Sequence, residues 1–355
     1  MSIGKWLAIA CLVLFGAAFC VPTLSAQDDL GVPGMEAPPP QFIAPADILK
    51  MMQNKDTSFV LVDTQPEEAF AEGHIPGAIN YPWVPQVKPP ISLPRNKMLV
   101  LYCPCNHDED SIDMYKKLSE FGYLNTKILE GGWYKWVALK YPVDGTDAAN
   151  AVKMAEAAAA NGSTDASNAA AAAAPAAAPA ATATSATSGP ITSGRQVGAV
   201  TPSLRVIDVT GKYKGQDTCY VCEYGAAPTV IGFFQKPSDQ AADLIVKLNA
   251  LVQSQKDLKG FVVMIEGPDT KAWLEKLEQD KGITIPLVYF QKGPQDSGVR
   301  VYKLNPAAGN TILVNINRQV VANFVNMTGD SFQQVTDAST KMLAAAAASA
   351  KSGGQ

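Results

Sequence analysis

Residues 98–111 read MLVLYCPCNHDEDS, a short apolar run that ends in two cysteines, a histidine and three consecutive acids. An unbroken apolar run of this length is the pattern of a strand buried on both faces. The residues after it predict a tight loop, then a helix that starts at Ser111. A cysteine carried by a strand to the N-terminal end of a helix can be a reactive thiol, because unpaired backbone N–H groups and the helix dipole favour the thiolate.

Outward from this stretch the pattern alternates. A helix is predicted over 44–55 with Ile48, Leu49 and Met52 inward, a strand over 59–63, a short helix over 67–72, and a turn at GHIPGAIN (73–80) that leads into another strand. A Pro-rich excursion (82–94) precedes the central strand. A helix to about Phe121, with Ile112, Tyr115 and Leu118 on one side, and a strand over 126–129 follow. Strands alternating with helices give a parallel sheet covered on both faces, with the cysteine loop at a strand's carboxyl end.

Leu61-Val62-Asp63, Glu67-Glu68, GHIPGAIN, Tyr102-Cys103 and Gly131-Gly132-Trp133 followed by Trp136 together resemble the rhodanese domain over about residues 42–143. The resemblance implies an α/β fold and a cysteine that carries sulfane sulfur as a persulfide. It also implies a loop whose backbone N–H groups cradle that sulfur, and it puts Cys103 in the catalytic place. Two features depart from the family. Gln65 stands where an arginine is common, and the loop, usually similar to C-x-x-G-x-R-S, is longer and acidic. Ser111 lies eight positions after Cys103, and counting back from it by the usual loop length selects Cys105 instead.

A carboxylate some 8 Å from a thiolate opposes it by about 0.5 to 2 kcal/mol. The helix N-terminus favours it by roughly 0.3 to 2 kcal/mol, so Asp108, Glu109 and Asp110 can cancel the dipole. A dianionic donor such as thiosulfate meets repulsion here, and poor thiosulfate turnover is expected. Asn106, His107, Asp108, Glu109, Asp110 and Ser111 complete the candidate active-site loop. Cys103, Cys105 and His107 also offer soft and imidazole ligands that could hold copper or zinc. A Cys103–Cys105 disulfide is a third chemistry for the same residues, and a non-catalytic rhodanese domain used for binding is a fourth. His74 is expected to orient its turn by hydrogen bonding, and Trp133, Tyr134 and Trp136 to pack the core and loop.

The chain has 355 residues, a net charge of −4 and no basic stretch, so nucleic acid is not an expected partner. Residues 1–26 carry Lys5, an apolar run and a small-residue end at Leu24-Ser25-Ala26, the layout of a secretory signal peptide that leaves no membrane anchor after cleavage. The protein is therefore expected to be exported, periplasmic or secreted. Of six cysteines the signal takes Cys11 and Cys20, leaving the pairs Cys103/Cys105 and Cys219/Cys222. In an oxidising compartment such pairs are disulfides or thiols kept reduced for work.

Residues 27–41 read as a Pro/Gly-rich tether, 42–145 as the rhodanese-like domain and 146–200 as an Ala-rich low-complexity linker that spans roughly 40 Å as flexible coil. Residues 201–343 form a second domain and 344–355 a tail. Strands are predicted over 206–209, 229–234, 261–265, 287–290, 311–315 and 320–324, with helices over 240–252, 270–277 and 331–343. This order resembles the thioredoxin fold in its peroxiredoxin-like elaboration, which implies thiol chemistry. Its cysteines are displaced: Cys219 and Cys222 precede the strand 229–234, and Gln235-Lys236-Pro237-Ser238 after it has none. The pair reads equally as a redox dithiol or as a structural disulfide, with a two-cysteine metal half-site as a third option.

The expectation is an exported two-domain α/β protein, a persulfide sulfurtransferase or thiol redox protein. Cys103 is its nucleophile, Cys105 the resolving or alternative nucleophile, and Cys219/Cys222 a relay. Its partners are a small sulfur donor or a thiol/disulfide protein, the tethered domains can touch, and no cofactor is called for. The alternative is a binding protein with structural disulfides.

Overall fold

The computed structural model describes residues 38–149 and 191–352. The predicted signal peptide, most of the predicted tether and most of the predicted Ala-rich linker lie outside the described residues. The first domain comprises β1 (Gln41–Ile43), α1 (Pro45–Gln53), β2 (Phe59–Asp63), α2 (Glu67–Glu72), β3 (Ile79–Asn80), β4 (Met98–Tyr102), α3 (Glu109–Ser119), β5 (Thr126–Leu129) and α4 (Gly132–Ala138). The strands form one sheet in the order β1-β5-β4-β2-β3 with every neighbouring pair parallel.

β4 lies in the middle because its side chains suit two cores. Val100 and Tyr102 point into a cluster with Ile48, Leu61, Trp133 and Trp136. Leu99 and Leu101 face the opposite cluster of Trp83, Met114, Tyr115 and Leu118. Side chains alternate along a strand, so this run serves both layers. Trp133 and Trp136 are almost fully buried, and burial of a large apolar side chain stabilises by roughly 1.5–3 kcal/mol. The Pro-rich excursion also joins the core, through Trp83, Val87 and Leu93.

α3 begins at Glu109, two residues before the predicted start. Asp108 adopts a left-handed conformation (φ 57°) and its carbonyl accepts from Ile112 N at 2.8 Å, so the chain turns into the helix there. β1 escaped prediction because three residues carry too little pattern. α4 is entered through Gly131 and Gly132, both at positive φ, where glycine costs least.

The second domain comprises β6 (Val206–Asp208), β7 (Asp217–Thr218), α5 (Tyr220–Tyr224), β8 (Thr229–Phe234), α6 (Asp239–Ser254), β9 (Lys259–Met264), α7 (Lys271–Lys281), β10 (Leu287–Tyr289), α8 (Ser297–Val301), β11 (Asn310–Ile316), β12 (Gln319–Val325) and α9 (Gln333–Ser352). The sheet order is β12-β11-β8-β9-β10-β6-β7. β8, β9 and β10 are parallel, and β11 and β12 close the sheet antiparallel. This is the thioredoxin-like order read from the sequence. α6 follows β8 with Ser238 as its cap, the hydroxyl accepting from Ala241 N.

Three boundaries differ from the sequence reading. α9 runs on to Ser352 through the Ala-rich end, as expected of the strongest helix former. Residues 191–200, read as the last part of the linker, are held against the second domain: Ser193 Oγ lies 2.7 Å from Thr311 Oγ1 and Gly194 N donates to Lys303 O at 3.0 Å. β7 and α5, too short to show a period, bracket Cys219.

Candidate functional site: a cysteine cluster between two domains

The two cysteines of the loop after β4 do not face solvent. Cys103 and Cys105 are 0% and 1% exposed and belong to the same apolar cluster as Leu204, Val206, Tyr213 and Tyr220 of the second domain. Polar contacts ring this buried patch. Asn106 Nδ2 donates to Thr218 Oγ1 at 2.8 Å, Tyr134 OH to Asp217 Oδ1 at 3.0 Å, and His107 Nε2 lies 3.3 Å from Tyr213 OH. Lys292 binds Glu72 at 2.8 Å and also pairs with Asp147, while Arg300 pairs with Glu72. The central ion pair is Asp110 with Arg318, both about 3% exposed at the side chain. Arg318 also covers the Trp83 ring, 3.5 Å from its centre.

Trp133 N donates to the Cys103 carbonyl at 3.1 Å, which ties the loop to α4. Asp108 Oδ2 accepts from Gly131 N at 3.0 Å, and burial pushes its carboxyl up to about 6. Glu109 Oε2 accepts from His107 N at 3.0 Å. Ser111 Oγ and Asp108 Oδ1 are buried without a hydrogen-bond partner. Gln65 holds the place of the common arginine: its Nε2 donates to Asp63 Oδ2 and to Gly73 O, both at 2.9 Å.

Cys103 and Cys105 are free thiols, so the disulfide considered between them is not formed. Both sit in the same buried cluster, two residues apart, and each influences the ionisation of the other. Burial raises the Cys103 thiol above the ordinary range, the Cys105 contact eases this, and Asp110 and Asp108 push it further up. Cys105 is raised well above, by burial first, then by Cys103, Asp110 and Glu109. The acids oppose thiolate formation as the sequence indicated, but burial outweighs them. Cys103 is the more readily ionised of the two.

Cys219 and Cys222 form a disulfide with Cα atoms 5.3 Å apart. Cys219 caps α5, its sulfur accepting from Cys222 N at 3.1 Å. Cys105 Sγ, a carboxylate oxygen of Asp110 and Cys222 Sγ all lie within 4.8 Å of one another. Asp110 Oδ2 is 3.9 Å from Cys222 Sγ, a contact only, since a disulfide sulfur has no proton to donate. The two cysteine pairs, at least 114 residues apart in sequence, thus converge in one buried cluster.

His107 does not join it. Among the described residues the group of ligand atoms that closes to within 4.8 Å is Cys105, Asp110 and Cys222, which corrects the Cys103/Cys105/His107 set read from the loop. His74 orients its turn: Nδ1 is 2.8 Å from Phe70 O and the ring stacks on Phe70. Trp133 and Trp136 pack the core, whereas Tyr134 reaches the other domain. Arg318, Asp217, Tyr213 and Trp83 were missed in the sequence because nothing local marks a residue that works by packing across domains.

One cleft reaches the cluster. Its volume is about 420 Å³, and Trp83, Asp110, Asp113, Lys117, Cys222 and Arg318 line it. Cys222 borders this cleft; Cys103 and Cys105 do not.

A family model described as the rhodanese-like domain matches residues 44–139. The chain is 32% identical over 100 residues to the adenylyltransferase and sulfurtransferase UBA4 of Candida albicans, covering 26% of this chain and 23% of that protein. The chain therefore spans less than a quarter of the length of that curated relative. Among solved structures, BH2092 protein from Bacillus halodurans is 25% identical, with a TM-score of 0.29, over 31% of this chain and 80% of that one. A thiol peroxidase from Chromobacterium violaceum is 17% identical, with a TM-score of 0.32, over 43% of this chain and 88% of that one. Residues 44–139 are a rhodanese-like domain.

Proposed function

We propose that the protein is an exported sulfane-sulfur reductase of the thiol relay type, in which the rhodanese-like domain accepts sulfur and the second domain supplies electrons. The observation that carries the reading is the meeting of Cys105 Sγ and Cys222 Sγ within 4.8 Å, with Cys103 in the same buried cluster. A persulfide donor RSSH passes its outer sulfur to the Cys103 thiol, which becomes Cys103–S–SH, and RSH leaves. The Cys105 thiol then attacks Cys103 Sγ, forming the Cys103–Cys105 disulfide and releasing H2S. In the dithiol form of the second domain, Cys222 attacks Cys105 Sγ and Cys103 leaves as a thiol. Cys219 attacks Cys222 Sγ, frees Cys105 and completes the Cys219–Cys222 disulfide. The two thiol protons of the second pair end on Cys103 and Cys105. The arrangement described, thiols at 103 and 105 and a disulfide at 219 and 222, is the one this sequence of exchanges leaves behind.

An external dithiol recharges the pair at Cys222, the cysteine that borders the cleft. Cys103 is sealed by the second domain, so loading it with sulfur requires the two domains to part at this face. Thiosulfate is a poor donor because Cys103 is buried and Asp108 and Glu109 add negative charge to its loop, Asp110 being paired with Arg318.

The test is to reduce the full chain, remove the reductant, add one equivalent per chain of a small organic persulfide, and follow H2S and cysteine masses. One H2S per chain and a Cys219–Cys222 disulfide are expected, and Cys105→Ser should trap the added sulfur on Cys103. No H2S release from the wild type together with no added sulfur on Cys103 of Cys105→Ser refutes the reading. The burial of both thiols favours a second reading, a binding module whose loop is an adhesive surface, and that result would select it.

A further inference from the structure

Reduction of the Cys219–Cys222 disulfide would leave three ligand-capable groups facing one another at the domain boundary. The Cys105, Asp110 and Cys222 ligand atoms lie within 4.8 Å of each other, all on buried residues. This is near the spacing of a tetrahedral zinc site, where Zn–S bonds of ~2.3 Å and Zn–O bonds of ~2.1 Å set ligand atoms a little under 4 Å apart. We propose that in the dithiol form these residues bind one Zn2+ ion, so that the cluster is a redox-gated metal site bridging the two domains.

Three further features support this. Asp110 is already oriented: Arg318 pairs with its Oδ1 and lies 3.4 Å from Oδ2, while Oδ2 faces Cys222. Ligating carboxylates are commonly fixed by such an outer partner. The charges also close, because two thiolates and Asp110 are balanced by the dication and Arg318, leaving no net charge in a buried site. Finally, the cleft that Asp110 and Cys222 line gives the ion an entry path and leaves room for a water as fourth ligand. Binding displaces the protons of the Cys105 and Cys222 thiols to solvent. No electron moves in that step; a thiol or phosphine reductant has opened the disulfide beforehand.

The inference does not depend on sulfur transfer. Full-length protein is titrated with Zn2+ against a chromophoric chelator, before and after treatment with a phosphine reductant, and Co2+ is used as a spectroscopic probe for thiolate ligation. One equivalent bound by the reduced form, none by the oxidised form, and a cobalt–thiolate band are expected. Cys105→Ser and Cys222→Ser should each weaken binding at least tenfold, while His107→Ala leaves it unchanged. Far-UV circular dichroism confirms that each variant is folded. Failure of the reduced protein to take up zinc, retention of full affinity by folded Cys222→Ser, or its loss in His107→Ala would each overturn the proposal.

Discussion

Asp110→Asn isolates the electrostatics of the cluster. Asp110 Oδ2 stands 3.9 Å from Cys222 Sγ and its carboxylate also opposes ionisation of both Cys103 and Cys105. A unit charge at that distance opposes a thiolate by about 1 kcal/mol in water and about 4 kcal/mol at the effective dielectric of a partly buried site. Arg318 offsets part of this in the wild type and becomes a net favourable charge once the carboxylate is neutral. In the reduced protein the thiolate population at Cys222 should therefore rise about 5-fold at the least and up to about 1000-fold. The assay is the rate of iodoacetamide labelling at Cys222, followed by peptide mass spectrometry across a pH series. The midpoint of the rate profile should move to lower pH, with faster labelling at pH 7. An unmoved midpoint, or one moved upward, would refute the argument that Asp110 sets the reactivity of this cluster.

Asp63 sits fully buried at the end of β2, and burial pushes its carboxyl up to about 7. The unfolded chain loses this proton near pH 4 while the folded protein keeps it to about 7, so ionisation costs stability as pH rises through that window. Asp63→Asn should thus gain stability relative to wild type between pH 4 and 7, on the order of 4 kcal/mol across the window, measured by urea unfolding at several pH values. A difference that does not change with pH would contradict this. Gly132 has φ +47°, and a Cβ there would lie 2.4 Å from the Cys103 carbonyl oxygen. Gly132→Ala should cost about 2–4 kcal/mol through backbone strain and overpacking, and a melting temperature within a degree of wild type would show that the loop is not clamped there.

The framework was legible because its signals are local. β2, α2, β4, β5 and β8 fall on their predicted bounds, since an apolar run such as MLVLY or TVIGFF declares a buried strand by itself. The candidate cysteines were equally visible. Their relationship was not, because it depends on docking: Cys105 and Cys222 meet only when Asp110 finds Arg318 and Tyr134 finds Asp217, pairings between distant residues that no spacing encodes. The same fact explains the metal ligands. His107 is the nearest imidazole in sequence, but the loop turns it toward Tyr213, and Cys222 arrives instead from the other domain. The acids of the loop read as charges that disfavour a thiolate; one of them, Asp110, is also the anchor of the interface.

The central claim, that the two cysteine pairs form one exchange-competent cluster, is tested most directly by the double variant Cys103→Ser/Cys219→Ser. It retains Cys105 and Cys222 with their pair partners removed. Mild oxidation of the monomer at low concentration should give a Cys105–Cys222 disulfide in nearly every chain, recovered as one cross-linked peptide pair by mass spectrometry. Two free thiols after oxidation, or links only between chains, would contradict the account.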